Sequence, residues 1–405
     1  MTSPDAATIP GANSRPPVSI FMFVRNGAPT LRRAIDSVLA QTYPNIEFIV
    51  QDGASTDGTL AILRSYGERL KVVSEPDDGP SDGLWRALNR CTGDFIGSCL
   101  ADEELLPDAV ERAVSVFQAE PDIGAVTGDA MITDLQGRQT GLWTSGPFNL
   151  VDYLLADYSP YFCASFFRRE ALLAAGLETE TWTAECIEFE LWCRLASHST
   201  IKYLPGILAK YATHPDQSSN KPGDTLVHMT GRLKHIVGMC GAGGFVGDDP
   251  LMCVLSIWGH ARVFCNHALQ VGRPQTAEAI YRLIQQTLAG LPKALVDGIA
   301  YNENRGPPPP ATGLWARLSA RWRKPAAADE AERARVKALL RFPPAPDAGL
   351  KGRMYARLAL RYEARGRLED AIAMWRSAAA LNGLVDRSDL PGGALPPIGY
   401  THVAD

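Results

Sequence analysis

The first strongly apolar run, VSIFMFV at 18–24, shows no alternation, which predicts a strand buried on both faces. An amphipathic segment follows at 29–41, with Leu31, Ile35, Val38 and Leu39 on one side of a helix. IEFIV at 46–50 is a second buried strand. The alternation then continues with a helix over 57–66, a strand over 70–74, a helix over 81–91 and a strand over 94–100. Strand and helix alternating at this spacing predict a largely parallel α/β sheet. Beyond it the pattern predicts a helix over 107–119 opened by Pro107, a strand over 123–131 and a Gly-rich loop over 132–147. Helices at 169–175 and 185–197 follow, then short strands at 200–204 and 207–212.

From about residue 225 the strand signals fade, and 226–240, 251–271 and 275–290 read as helices. GPPPPATG at 306–313 is a stiff spacer. One internal similarity stands out. GRPQTAEAIYR begins at Gly272 and GRLEDAIAMWR at Gly366, sharing Gly, Arg, two Ala, an aromatic and a final Arg at matching offsets. Both copies resemble the turn and second helix of a tetratricopeptide unit. Chance likeness between Ala-rich helix–turn–helix segments is the alternative.

The 405 residues suffice for two or three domains with a real core, and the net charge of -5 argues against a broadly basic nucleic-acid binder. The charge is uneven: residues 313–405 carry 16 Lys/Arg against 10 Asp/Glu, so the earlier part is acidic. Eight scattered cysteines without a CxxC pair read as buried thiols in a reducing compartment. The Pro-, Ser- and Ala-rich first 17 residues read as a loose tail rather than a signal peptide, and no apolar run is long enough to span a bilayer. A cytoplasmic location is expected, with peripheral contact at the inner face of the membrane as an option.

The most specific chemistry lies in IEFIVQDGASTDGT, 46–59. A buried strand ends on Asp52, and ligands of open α/β sheets bind at the carboxyl ends of strands. Asp57, just before the next helix, reads better as that helix's cap. Together with VSIFMFVRN at 18–26 and SEPDDGPSDGLWRALNRCTGDFIGSCLADEELLP at 74–107, this stretch resembles the family 2 glycosyltransferases of the GT-A fold, from about 18 to about 219.

The resemblance implies a GT-A (Rossmann-like mixed sheet) catalytic domain followed by an all-helical region. The expected organisation is a tail at 1–17, a GT-A glycosyltransferase domain at 18–224 and a helical domain at 225–305. After the Pro-rich linker at 306–313 come a helical, tetratricopeptide-like region at 314–388 and an irregular tail at 389–405. It also implies that Asp52 contacts the nucleotide and that Asp82 lies beside nucleotide or sugar. The family's metal-binding "DxD" element falls at Leu100-Ala101-Asp102-Glu103, where Leu100 replaces the first carboxylate. Asp102, helped by Glu103, is then the expected ligand of Mg²⁺ or Mn²⁺, a hard cation that bridges diphosphate oxygens. An acidic helix start is the structural alternative for this run.

AECIEFELWCRLA at 184–196 resembles the family helix that carries the catalytic base, and alignment on Leu191-Trp192 puts Glu188 where the family usually has Asp. Glu185 and Glu190 are rivals. LAKYATHPDQSS at 208–219 resembles the element that brings a His to the diphosphate or metal, here His214. Arg168 and Arg169 could pair with phosphate or lie on the surface. GLWARLSARWRK at 313–324 reads either as a membrane-surface helix or as an apolar stripe packed on the helical region.

The expected activity is inverting transfer of a sugar from a nucleoside diphosphate-sugar, UDP first among them, to an acceptor hydroxyl in polysaccharide or glycoconjugate synthesis. The acceptor would be a glycan, a lipid-linked molecule or a protein, and the helical tail could hold a protein partner. The rival reading is a catalytically inactive fold serving as a scaffold, suggested by Leu100 and by Glu188 in place of Asp.

Overall fold

The computed structural model describes residues 15–156, 159–176, 186–214, 222–240, 244, 250–291, 327–340 and 348–380. The expected tails, the linker at 306–313, Glu185 and the basic stretch at 313–324 lie outside them. Among the described residues, nine strands form one sheet in the order β3-β2-β1-β4-β8-β6-β9-β5, with β7 paired to β6. These are β1 (Val18–Val24), β2 (Ile46–Asp52), β3 (Lys71–Ser74), β4 (Phe95–Ser98), β5 (Glu103–Leu105), β6 (Ile123–Thr133), β7 (Gln139–Trp143), β8 (Ser165–Arg168) and β9 (Thr200–Ala212). The first four are parallel, β8 runs antiparallel to β4 and β6, and β9 is parallel to β6. This is a GT-A-like mixed sheet with helices packed around it.

The unbroken apolar runs behave as their composition demands. In β1, Val18, Ile20, Phe21 and Met22 are fully buried, because helices cover both faces. On one side lie α1 (Leu31–Leu39), α2 (Thr59–Ser65) and α4 (Ala109–Ala119); α1 buries Leu31, Ala34, Ile35 and Val38. On the other lie α3 (Pro80–Asn89), α5 (Leu150–Leu154), α6 (Arg169–Ala174) and α7 (Ile187–His198), in one core with Trp192. Burying each such Leu, Ile or Val contributes about 1.5–3 kcal/mol, so these faces fix which way each helix turns.

Helices α8 (Pro222–Met239), α9 (Pro250–Gln270) and α10 (Pro274–Ala289) share that second core, as do α11 (Ala327–Leu339), α12 (Ala348–Ala364) and α13 (Leu368–Ala380). The two similar segments adopt the same turn. Gly272 between α9 and α10 has φ 76°, and Gly366 between α12 and α13 has φ 73°. Such left-handed backbone is cheap only for glycine. Arg367, just after the second of these, donates to the carbonyls of Ala196 and, at 2.8 Å, Ser199. It thereby ties the last helix pair to the carboxyl end of α7, where a cation is favoured.

Four expectations about elements need correction. The segment 132–147 is not wholly loop, since β7 forms a hairpin with β6 inside it. The two short strands after 200 are one continuous β9. The helix expected from Pro107 begins at Ala109 behind Asp108. The strand β5 occupies part of what read as an acidic helix start. No described helix is long and apolar enough to cross a membrane, and all eight cysteines are free and buried.

Candidate functional site

The carboxyl ends of β1, β2 and β4 converge on one set of turns. Beyond β1, Asn26 has φ 57°, and its side chain accepts from Thr56 N at 2.8 Å. Its own backbone N–H donates to Ser55 Oγ at 2.8 Å. Gly27 lies against the turn after β4: a Cβ there would sit 2.9 Å from Ala101 Cβ. Glycine is therefore required for the two loops to touch.

Asp52 ends β2 and is fully buried. Its carboxylate accepts from Ser55 N at 3.2 Å, Ser55 Oγ at 2.5 Å and Ser74 Oγ at 2.6 Å, bridging the ends of β2 and β3. Asp57 is not the cap expected of it, since Gly58 holds the N-cap position of α2; it closes the turn before the helix instead, accepting from Thr59 N at 2.8 Å and from Ala28 N at 3.2 Å. Burial works against its charge, but these hydrogen bonds prevail and hold its carboxyl below the usual range.

Asp82 lies in the first turn of α3. It pairs with Arg86 at 2.8 Å and accepts from Asp78 N at 3.0 Å. Burial opposes its charge, yet Arg86 and that amide keep its pKa low. A further carboxylate, that of Asp77, closes on the backbone just after β2: a Cβ on Gly53 would lie 2.3 Å from Asp77 Oδ2. Sequence reasoning passed over Asp77; the glycine directly after Asp52 is the signal that a side chain closes on that backbone.

The turn after β4 is built around Glu103. Its carboxylate accepts from Leu100 N at 2.7 Å, while Glu103 N donates to Leu100 O at 3.1 Å. Glu103 is 4 % exposed, and burial, with Asp102 beside it, pushes its pKa well above the usual range. It is thus the floor of the turn, while the Asp102 side chain beside it is partly exposed. β5 pairs antiparallel with β9 so that Glu103 faces Tyr211, and Ala212 N donates to Asp102 O at 2.9 Å. Two residues further on, His214 Nε2 comes within 3.7 Å of Asp102 Oδ2. Strand pairing alone therefore brings together two residues far apart in the sequence.

Glu188 is in the first turn of α7 and half-buried. Burial pushes its pKa up, opposed by the positive charge of Arg232. It is within electrostatic reach of Glu103. Glu190 faces a different environment: it is 1 % exposed, ion-paired with Arg194 and 3.8 Å from His235 Nδ1. Arg168 takes neither role suggested for it. It donates to the carbonyls of Ile123 at 3.0 Å and Phe117 at 2.9 Å, a strut between β6 and α4. Arg169 donates to Cys91 O at 3.3 Å.

The parallel half of this mixed sheet thus opens onto a carboxylate-bearing turn, to which β9, antiparallel to β5, brings a histidine. Residues 19–173 match the model of Glycosyl transferase family 2, and this stretch of the chain is a Glycosyl transferase family 2 domain. The chain is 26 % identical over 216 residues to a chondroitin synthase of Pasteurella multocida, covering 52 % of this chain and 22 % of the relative. It is 35 % identical over 111 residues to a Bacillus subtilis protein named putative glycosyltransferase EpsE, covering 26 % of this chain and 40 % of that one. It thus spans about a fifth of the length of the first of these relatives. Among solved structures, S. aureus TarS 1-349 in complex with UDP-GlcNAc superposes with TM-score 0.50 at 14 % identity, over 90 % of this chain and 92 % of that one, which is a likeness of fold.

Proposed function

We propose that the protein is an inverting glycosyltransferase that moves a sugar from a nucleoside diphosphate donor, UDP-linked in the first instance, to an acceptor hydroxyl. The observation that carries this reading is the approach of His214 to Asp102 at the carboxyl end of the parallel strands, 3.7 Å apart. One carboxylate oxygen and one imidazole nitrogen suit Mg²⁺ or Mn²⁺ when donor phosphates supply further ligands. No group of three His, Cys, Asp or Glu able to hold a metal occurs among the described residues. A bound cation would neutralise the charge that develops on the departing diphosphate.

In this reading Asp52 and Asp82 shape the nucleotide end. Asp52 locks the turn after β2 through Ser55 and Ser74, and Asp82, held by Arg86, sets the start of α3. Glu103 supports Asp102 from below by fixing Leu100. Glu188 is the general base that takes the acceptor's proton, since a half-buried carboxylate with a raised pKa is suited to receive one. The relation to a chondroitin synthase supports a glycan acceptor and a place in polysaccharide synthesis. Lipid-linked and protein acceptors, a protein partner on the helical tail and contact with the inner membrane face remain part of the proposal.

Calorimetric titration of UDP into the full chain, with and without Mn²⁺, tests the donor site. Metal-dependent binding in the wild type, lost in Asp102→Asn and weakened in His214→Ala, is the expected result. Equal binding by all three proteins would remove the site from this position.

A further inference from the structure

The approach of His214 to Asp102 is one side of a closed circuit of contacts. Ala212 N donates to Asp102 O at 2.9 Å, which fixes the end of β9 to the turn after β4. The next residue fixes the same end to β6, where Thr213 N and Thr213 Oγ1 donate to Thr133 O at 2.9 and 3.2 Å. His214 follows directly. Its place relative to Asp102 therefore depends on how β5 and the end of β6 are held on either side of β9. β5 has three residues and ends the sheet, so few ladder hydrogen bonds keep it from pivoting.

One side chain of α1 spans the two flanks. Arg33, half-buried, donates from Nη1 to Leu135 O at 3.0 Å, two residues beyond Thr133. Its Nε lies 3.7 Å from Glu104 Oε1, two residues beyond Asp102. The other oxygen of that carboxylate lies 3.6 Å from Lys210 Nζ of β9. The guanidinium also borders the hairpin turn, since a Cβ on Gly137 would stand 3.8 Å from its Nη1. α1 is itself keyed to β5, because Ser37 Oγ accepts from Leu105 N at 3.1 Å. A partly exposed ion pair of this length stabilises a fold little. What distinguishes Arg33 is that one planar fork serves two elements at once, the hairpin carbonyl and the β5 carboxylate. Arginine's spread donors allow this, whereas a lysine offers a single point of charge.

We propose that Arg33 is a positioning residue for the donor site: by tying the tip of the β6–β7 hairpin to β5, it sets how closely His214 approaches Asp102. This rests on the reading of those two residues as ligands of the donor's cation. A shift of either flank moves one of them without the other, and Mg²⁺ in particular demands near-octahedral placement of its ligands. Arg33 thus acts through the pair, and its loss matters only while both members are present.

The test is a double-mutant cycle in the full chain, read as UDP affinity by calorimetry with and without Mn²⁺. Arg33→Gln should weaken Mn²⁺-dependent UDP binding about tenfold, the low end for residues that support metal ligands, and leave metal-free binding unchanged. Glu104→Gln breaks the same brace from the β5 side; it should give a loss of the same kind, and it carries the test if Arg33→Gln does not fold. Arg33→Lys should fall between wild type and Arg33→Gln. In a His214→Ala background, Arg33→Gln should cost no more than about a further twofold, the margin within which independent effects add. Metal-dependent affinity unchanged in Arg33→Gln and Glu104→Gln would overturn the proposal. So would an equal loss with and without Mn²⁺, or a tenfold loss that persists undiminished without His214. Failure of the underlying reading looks different. Wild-type UDP binding that ignores Mn²⁺, or that survives His214→Ala unchanged, would overturn the assignment of the metal ligands and this proposal with it.

Discussion

Two glutamates two residues apart in the first turn of α7 are expected to respond in opposite ways. Removing a general base costs about 10²–10⁴ in rate, equivalent to about 3–5 kcal/mol of barrier, so Glu188→Gln should lose transfer by that factor. Its fold should not suffer. The pKa of Glu188 is raised in the folded chain, so the folded form holds its proton to higher pH than the unfolded form does. The ionised group therefore costs stability as pH climbs from the ordinary carboxyl range of about 4.3 through the folded pKa. Glu188→Gln should match wild-type stability at low pH and exceed it increasingly toward neutrality. Glu190→Gln should instead cost stability and spare turnover. Glu190 is 1 % exposed and bonded to Arg194. Weakening hydrogen bonds to a buried charge costs about 2–3 kcal/mol. At about 2–4 °C per kcal/mol for a unit of this size, the melting temperature should fall by about 5–10 °C while turnover per folded molecule holds. Thermal melts across pH and release of nucleoside diphosphate from a UDP-sugar provide both readouts. If Glu188→Gln melts early and keeps its turnover while Glu190→Gln loses transfer at unchanged stability, the assignment of the two acids is reversed.

Three further outcomes follow from the same geometry. Gly53→Ala should weaken nucleotide binding, because the added Cβ meets Asp77 Oδ2 at 2.3 Å and must displace that carboxylate; an unchanged affinity in a titration would show that the turn yields freely. Acid should destabilise the helical side of the core. His235 has its pKa lowered by burial to about 4, so stability present above its unfolded value of about 6.5 is lost as pH falls from there toward 4. His235→Leu should flatten that part of the stability curve, and an identical slope would assign the effect elsewhere. Arg367→Ala removes the donors to Ala196 and Ser199 carbonyls, and should raise amide exchange in α12 and α13 before it alters the sheet.

The parallel half of the sheet was legible because its strands are buried on both faces and its helices carry single apolar stripes, as in β1 and α1. The antiparallel additions were not. β5 is three residues long and acidic, and it becomes a strand only by pairing with β9, a contact across about a hundred residues that no local pattern reports. β7 was hidden for a similar reason: it is a half-exposed hairpin partner in a polar stretch. The site showed the same divide. Asp52, Asp102 and Glu188 were proposed from motif and position, whereas the approach of Asp77 to Gly53 depends on proximity in space. The inward turn of Glu103 was equally invisible, since LADEELLP looks the same whether its second acid projects or folds back on Leu100.

A thermal-shift screen tests the donor site at Asp102 and His214. The full chain and Asp102→Ala would be heated with UDP, GDP, dTDP or CMP, each with and without Mn²⁺. Ligand at 100 times its dissociation constant stabilises by about 2.7 kcal/mol, a shift that is easily read. The expected result is stabilisation by one nucleotide, UDP first, that requires Mn²⁺ and disappears in Asp102→Ala. Stabilisation by no nucleotide, or by one that ignores both the metal and the substitution, would contradict the claim and favour a fold kept as a scaffold.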